Sequence, residues 1–134
     1  MFRLPALILL FTVAANAVDH PLKPSSELYS PLIASKISAT AKTQKSVTQY
    51  PQNTDTSGTK WVYFPANYWT SGFFPATLYA MNERASLCPT KGDSTDWVKL
   101  ARAWSSGLIG LETKNTLGHD VGFMSFPFSN ELVM

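Results

Sequence analysis

The chain has 134 residues, 45% hydrophobic and 15% charged, with a formal net charge of +2. That composition belongs to a chain that buries a core and excludes a disordered tail, and so small a charge gives no electrostatic basis for binding nucleic acid or anionic lipid. Cys88 is the single cysteine, so no intrachain disulfide supports the fold.

The first element expected is a signal peptide over residues 1–17. Arg3 precedes an apolar run from Leu4 to Ala15, and Ala15-Asn16-Ala17 has the small-x-small pattern of a cleavage site. The run is shorter than the roughly 20 residues that span a bilayer, and no later segment approaches that length, so a secreted protein without membrane anchorage is expected.

From Ser26 to about Gln49, Leu28, Leu32, Ile33 and Ile37 fall near helical spacing, and Pro24, Ser25 and Ser26 offer a start. The second half of this helix has few apolar anchors and is expected to fray. Pro51 to Lys60 reads as a surface loop, and Trp61-Val62-Tyr63-Phe64 as extended chain too short for a sheet of its own. A hydroxyl at Thr70 or Ser71 can cap a second helix running from about Gly72 to Leu87, with Pro75 in its first turn. Cys88 to Asp93 breaks that helix. Cys88 itself, next to Pro89 and without a histidine or basic cluster nearby, reads as an incidental thiol.

The third helix has the strongest periodicity. Trp97, Leu100, Ala101, Trp104, Leu108 and Leu111 follow Ser94, Thr95 or Asp96 as cap, at offsets 0, 3, 4, 7, 11 and 14. Asn115 and Gly118 are its expected terminators. Each indole can bury about 150 to 250 Å², and three helices alone are expected to leave this stripe without enough partner surface. A further helix is expected to begin at Ser129-Asn130-Glu131, with Glu131 at its positive end. Its first turn reaches Met134, which reads as a truncated domain. The architecture expected from these elements is all-α, built of helical hairpins in a toroid, over a partial domain of residues 18–134.

Two loop segments carry the candidate chemistry. In Gly118-His119-Asp120-Val121-Gly122-Phe123-Met124, Asp120 is followed by Val121, Phe123, Met124, Phe126 and Phe128. Apolar surroundings favour the protonated form of a carboxyl group and with it a proton-exchanging role; an Asp next to glycine more often caps a turn or the following helix. His119 is a hydrogen-bonding or substrate-orienting group, or equally a structural histidine. The only other histidine is His20, and one histidine with one aspartate does not close a metal site, so neither metal nor cofactor is expected. No Gly-x-Ser-x-Gly elbow or phosphate-binding glycine loop occurs.

The other segment, Tyr68-Trp69-Thr70-Ser71-Gly72-Phe73-Phe74-Pro75, lies in an aromatic cluster able to stack on sugar rings. Phe73 and Phe74 fit core packing better, whereas Trp69 divides evenly between core and substrate contact.

Trp69-Thr70-Ser71-Gly72-Phe73-Phe74-Pro75 and His119-Asp120-Val121-Gly122-Phe123-Met124, with the Trp/Leu helix between them, resemble in order and separation the N-terminal motifs of the unsaturated glucuronyl hydrolases, glycoside hydrolase family 88. The leader resembles that of a fungal member. The resemblance covers roughly Ser26 to Met134 and implies the N-terminal part of an (α/α)6 barrel. It also implies a glycosidase that removes the terminal unsaturated uronic acid from oligosaccharides by hydrating its C4=C5 vinyl ether. By that resemblance Asp120 is catalytic, His119 and Trp69 contact substrate, and a second catalytic aspartate lies downstream of the residues present, so this chain by itself is expected to be inactive. The partner implied is an oligosaccharide ending in an unsaturated uronate. Two alternatives stand beside this reading: a small secreted protein that binds carbohydrate without catalysis, or binds nothing, and the related unsaturated rhamnogalacturonyl hydrolases.

Overall fold

The computed structural model describes residues 25–43, 47–89 and 93–134. The expected signal peptide, its cleavage site and His20 lie outside the described residues. A 3-10 turn at Ser26–Tyr29 precedes helix α1, Pro31–Thr43. Proline suits the first helical position because its missing N–H would have no partner there. Ser30 Oγ accepts from the Leu32 N–H at 3.3 Å, so α1 starts one turn later than Ser26. Its inner face is made of Ala34, Ser38 and Ala41, small residues that let the helix lie close to its neighbours. The Trp104 indole N–H donates to Ala41 O at 3.3 Å, and that of Trp61 to Thr40 Oγ1 at 3.2 Å.

Strands β1, Gln49–Thr54, and β2, Trp61–Pro65, follow as an antiparallel ribbon. The expectation of an all-α chain is therefore wrong: a two-stranded sheet stands between the first and second helices, where a toroid of helical hairpins would join them directly. The physical reason is Tyr50. Its ring is buried, 5.5 Å from that of Trp104, and its hydroxyl donates to Trp104 O at 2.8 Å. A backbone pinned to the core must satisfy its own polar groups, and pairing with Trp61–Pro65 does so. Pro51 and Asn53 face Tyr63 and Val62, which leaves Gln52 as an extra residue, and a bulge beside a proline relieves the lost donor. The turn between the strands is closed by Asp55, whose carboxylate accepts from Ser57 Oγ at 2.9 Å and the Thr59 N–H at 2.9 Å, while Gly58 takes φ +70°.

Helix α2, Phe73–Leu87, buries Phe74, Pro75, Leu78, Tyr79 and Met81. Its start matches the sequence reading but its cap does not: Ser71 Oγ donates to Pro65 O at 3.0 Å instead of accepting from the helix. Helix α3, Trp97–Ser105, is capped by Asp96, whose carboxylate accepts from the Lys99 N–H at 2.9 Å. It is shorter than the apolar stripe predicts. A 3-10 turn at Ser106–Leu108 tightens its end, and Gly110 turns the chain away with φ +90°. Gly107 lets this turn lie against the chain before the ribbon, since a Cβ there would lie 2.1 Å from Val47 O and 2.4 Å from the Tyr50 hydroxyl.

Trp97 and Trp104 are not left bare. Both are 2% exposed: Trp104 meets Ala41 of α1, Tyr50 of the ribbon and Phe74 of α2, whose ring lies 4.7 Å away, and the Trp97 indole N–H donates to the Asp93 carboxylate at 3.0 Å. Leu78, Ala101, Leu108 and Met124 complete the same core. Two short helices, α4 at Val121–Met124 and α5 at Phe126–Leu132, end the described chain. The last helix starts before Ser129, with Pro127 in its first turn, so Glu131 lies near the end of α5 and caps nothing. Its carboxylate accepts instead from Arg102 Nε at 2.9 Å and from the Tyr79 hydroxyl at 2.5 Å. The Arg102 guanidinium, then the Tyr79 hydroxyl, holds Glu131 below the usual carboxylate range.

Candidate functional site

The two sequence segments singled out above meet in space. The connector between β2 and α2 folds into tight turns, with the Tyr68 N–H donating to Ala66 O and the Ser71 N–H to Tyr68 O, and these bring Gly72 against the backbone of α4. A Cβ on Gly72 would stand 2.1 Å from Phe123 O and 2.8 Å from Met124 Cα. Only a residue without a side chain permits that approach. Met124 is anchored in the core, 1% exposed, so the contact fixes α4 relative to the start of α2.

An aromatic face forms over this junction. The Trp69 ring lies 6.0 Å from Phe123 and 6.0 Å from Phe73, the latter edge-on at 88°. Phe126 joins at 5.7 Å from Phe73 and 5.6 Å from Phe123, and Tyr68 extends the row toward Phe64. Trp69 is 40% exposed, Phe73 37% and Phe126 40%. Phe74 is core, as expected, whereas Phe73 faces outward with Trp69. Sequence spacing treated Phe73 and Phe74 alike, although consecutive helical residues point about 100° apart.

His119 and Asp120 sit in the 3-10 turn Gly118–Asp120, which runs directly into α4. Gly118 enters the turn with φ +58°, and the Asp120 N–H donates to Leu117 O at 3.2 Å. Asp120 occupies the N-cap position of α4, yet its carboxylate accepts no bond from that helix. It faces His119, with Nε2 3.2 Å from Oδ1. The His119 side chain is 94% exposed and that of Asp120 31%, so the apolar enclosure that the neighbouring Phe and Met residues imply does not close over the acid. A contact this exposed adds little to stability. The arrangement leaves a carboxylate and an imidazole available to a ligand, one helical turn from Phe123 and the aromatic face.

Asn67 was not singled out by its spacing. Its Nδ2 donates to Thr116 Oγ1 at 3.2 Å, across 49 positions of sequence, and its buried Oδ1 has no partner in the protein. Among the described residues no group of three His, Cys, Asp or Glu side chains could hold a metal ion, and no helix is long and apolar enough to cross a membrane. Cys88 is exposed at the end of α2. A cleft of about 420 Å³ opens between α2 and α5, lined among others by Tyr79, Glu83, Ser86 and Asn130; it includes neither Trp69 nor His119 nor Asp120. Comparison with protein-family models, curated proteins and solved structures finds no match to this chain.

Proposed function

We propose that the aromatic face and the His119–Asp120 turn form one wall of a site for an oligosaccharide ending in an unsaturated uronic acid, and that the protein is a secreted glycosidase of the unsaturated glucuronyl type. The observation that carries this reading is the junction of Gly72 with Phe123 and Met124, which sets Trp69 and the acidic turn on neighbouring parts of one surface. Exposed aromatic rings stack on the apolar faces of a sugar, and polar groups beside them bind its hydroxyls.

In the reaction proposed, a proton adds to C4 of the C4=C5 double bond and positive charge develops on C5 and the ring oxygen. The Asp120 carboxylate stabilises that charge, while His119 holds the sugar. One water then adds to C5 and releases its proton. The resulting hemiketal opens, and the bond to the next sugar breaks at C1. The Asp120 carboxylate meets His119 and makes no cap bond to α4, which supports this role.

A non-catalytic carbohydrate-binding protein is the second reading, favoured by the openness of the acid, whose side chain is 31% exposed. Titration with an unsaturated uronyl disaccharide is expected to detect binding that Trp69→Ala weakens roughly tenfold, the scale of one lost aromatic contact. Asp120→Asn is expected to bind comparably. In a product that carries these residues and turns the disaccharide over, Asp120→Asn is expected to abolish the loss of the unsaturated uronate absorbance. Normal turnover by that variant overturns the assignment of Asp120, and binding untouched by Trp69→Ala overturns the site.

A further inference from the structure

Besides the packing of the Trp69 ring on Phe123, two anchors join the connector that carries Trp69 to the segment that carries His119 and Asp120. At one end Asn67 Nδ2 donates to Thr116 Oγ1 at 3.2 Å. At the other, the Gly72 backbone lies against Phe123 and Met124 so closely that a Cβ would fall 2.1 Å from Phe123 O. Trp69 lies between residues 67 and 72, and the acidic turn lies between residues 116 and 123. Each functional group is thus hung between the same pair of anchors.

The Gly72 contact is backbone on backbone and belongs to the core through Met124. The Asn67 contact is different. Thr116 is exposed, and the bond joins two irregular segments with no element of regular structure behind it. Between Thr116 and Asp120 the local supports are the Leu117 N–H donating to Asn115 Oδ1 at 3.0 Å and the Asp120 N–H donating to Leu117 O at 3.2 Å, on either side of Gly118 with φ +58°. A glycine in that region gives the turn wide conformational freedom, so a tether immediately before it limits where His119 and Asp120 stand. The Asn67 Oδ1 is buried without a protein partner.

We propose that Asn67 is a positioning residue: its bond to Thr116, acting with the Gly72 junction, sets the spacing between Trp69 and the His119–Asp120 turn and so the fit of the site to its sugar. The inference rests on the binding site proposed above, but the tether exists without ligand and is testable without it. In the full chain, Thr116→Val removes the acceptor and Thr116→Ser keeps it. NMR of the ligand-free protein is expected to show the His119 ring, the Asp120 amide and the Trp69 indole shifted in Thr116→Val and restored in Thr116→Ser, with the same melting temperature in both.

Asn67→Ala is expected to repeat the Thr116→Val shifts, and the double variant to add nothing to them. With the unsaturated uronyl disaccharide, Thr116→Val is expected to bind roughly tenfold more weakly, the scale of one side-chain hydrogen bond, and Thr116→Ser as the parent does. If the three resonances stay in place in Thr116→Val, or if Thr116→Ser shifts them equally, the tether does not position the site. If the parent chain binds no disaccharide, the site reading fails, and the ligand-free resonances still decide the tether.

Discussion

Gly72 and Gly122 stand fifty positions apart in the chain and report opposite environments. An alanine methyl at Gly72 must displace the Phe123 carbonyl, 2.1 Å away, whereas one at Gly122 meets nothing within 4 Å. Gly72→Ala is expected to lower stability in urea unfolding by about 1–3 kcal/mol, the range for overfilling a packed site, and to separate Trp69 from Phe123. Gly122→Ala, inside α4, is expected to be neutral or stabilising by up to about 1 kcal/mol. Little of this was legible in the sequence. The glycines in Thr70-Ser71-Gly72 and Asp120-Val121-Gly122 look alike there, because a close approach between distant backbones leaves no local pattern. The two loops that carry Trp69 and His119–Asp120 were legible from their aromatic and acidic residues beside glycines, but the expected apolar enclosure of Asp120 does not form. The outward direction of Phe73 and the tether from Asn67 were not legible.

Burial also sets the ionisation of Tyr50. Its hydroxyl is pushed well above the ordinary tyrosine value by desolvation, so the unfolded chain ionises first, near pH 10. The associated stability is complete below that pH and is lost as pH rises toward the folded value. Urea unfolding from pH 8 to 11 is expected to show a falling limb that Tyr50→Phe flattens, after an initial cost of about 1 kcal/mol for the bond to Trp104.

The elements divide by what defines them. Helix α2 and the start of α3 follow from local signals: Pro75 in the first turn of α2, the Asp96 cap of α3 and the Trp97/Ala101/Trp104 stripe. The ends of α1 and α3 and the ribbon do not. Strand β1 contains a proline and three amides and becomes a strand because Tyr50 is held by Trp104 from 54 positions away. Helix α5 is bound to α2 and α3 through Glu131, which takes hydrogen bonds from Tyr79 and Arg102. With its folded value lowered by Arg102 and Tyr79, Glu131 adds stability above its unfolded value near pH 4.3 and loses it as pH falls through the folded one. Melting curves are therefore expected to place Glu131→Gln below the parent at pH 7, with the gap closing in strong acid. A gap unchanged by acid would remove the carboxylate from this role.

At the scale of the molecule the four tryptophans fall into two populations. Trp97 and Trp104 are each 2% exposed, whereas Trp61 and Trp69 are 44% and 40% exposed. Acrylamide is expected to quench roughly half of the indole emission readily, and Trp69→Phe to reduce that accessible part. The buried pair also revises the expectation of an unpartnered stripe: α2 packs along α3, while Ala41 of α1 and Tyr50 of the ribbon meet Trp104, so a single cooperative melt is the expected behaviour of the described fold. That closure was hidden in the sequence because the covering residues, Ala34, Ser38 and Ala41 from α1 and Tyr50 from β1, are small or isolated and form no apolar run.

Helix α2 begins just after the exposed Trp69 indole and ends at Cys88, the lone thiol, which is also exposed. Its 15 residues make a rod of about 22 Å, rigid because one side of it is core. Maleimide chemistry would thus deposit a single dye at a known remove from Trp69, near enough for energy transfer and too distant to obstruct a bound sugar. The fold supplies its own ruler for watching the opposite end fill.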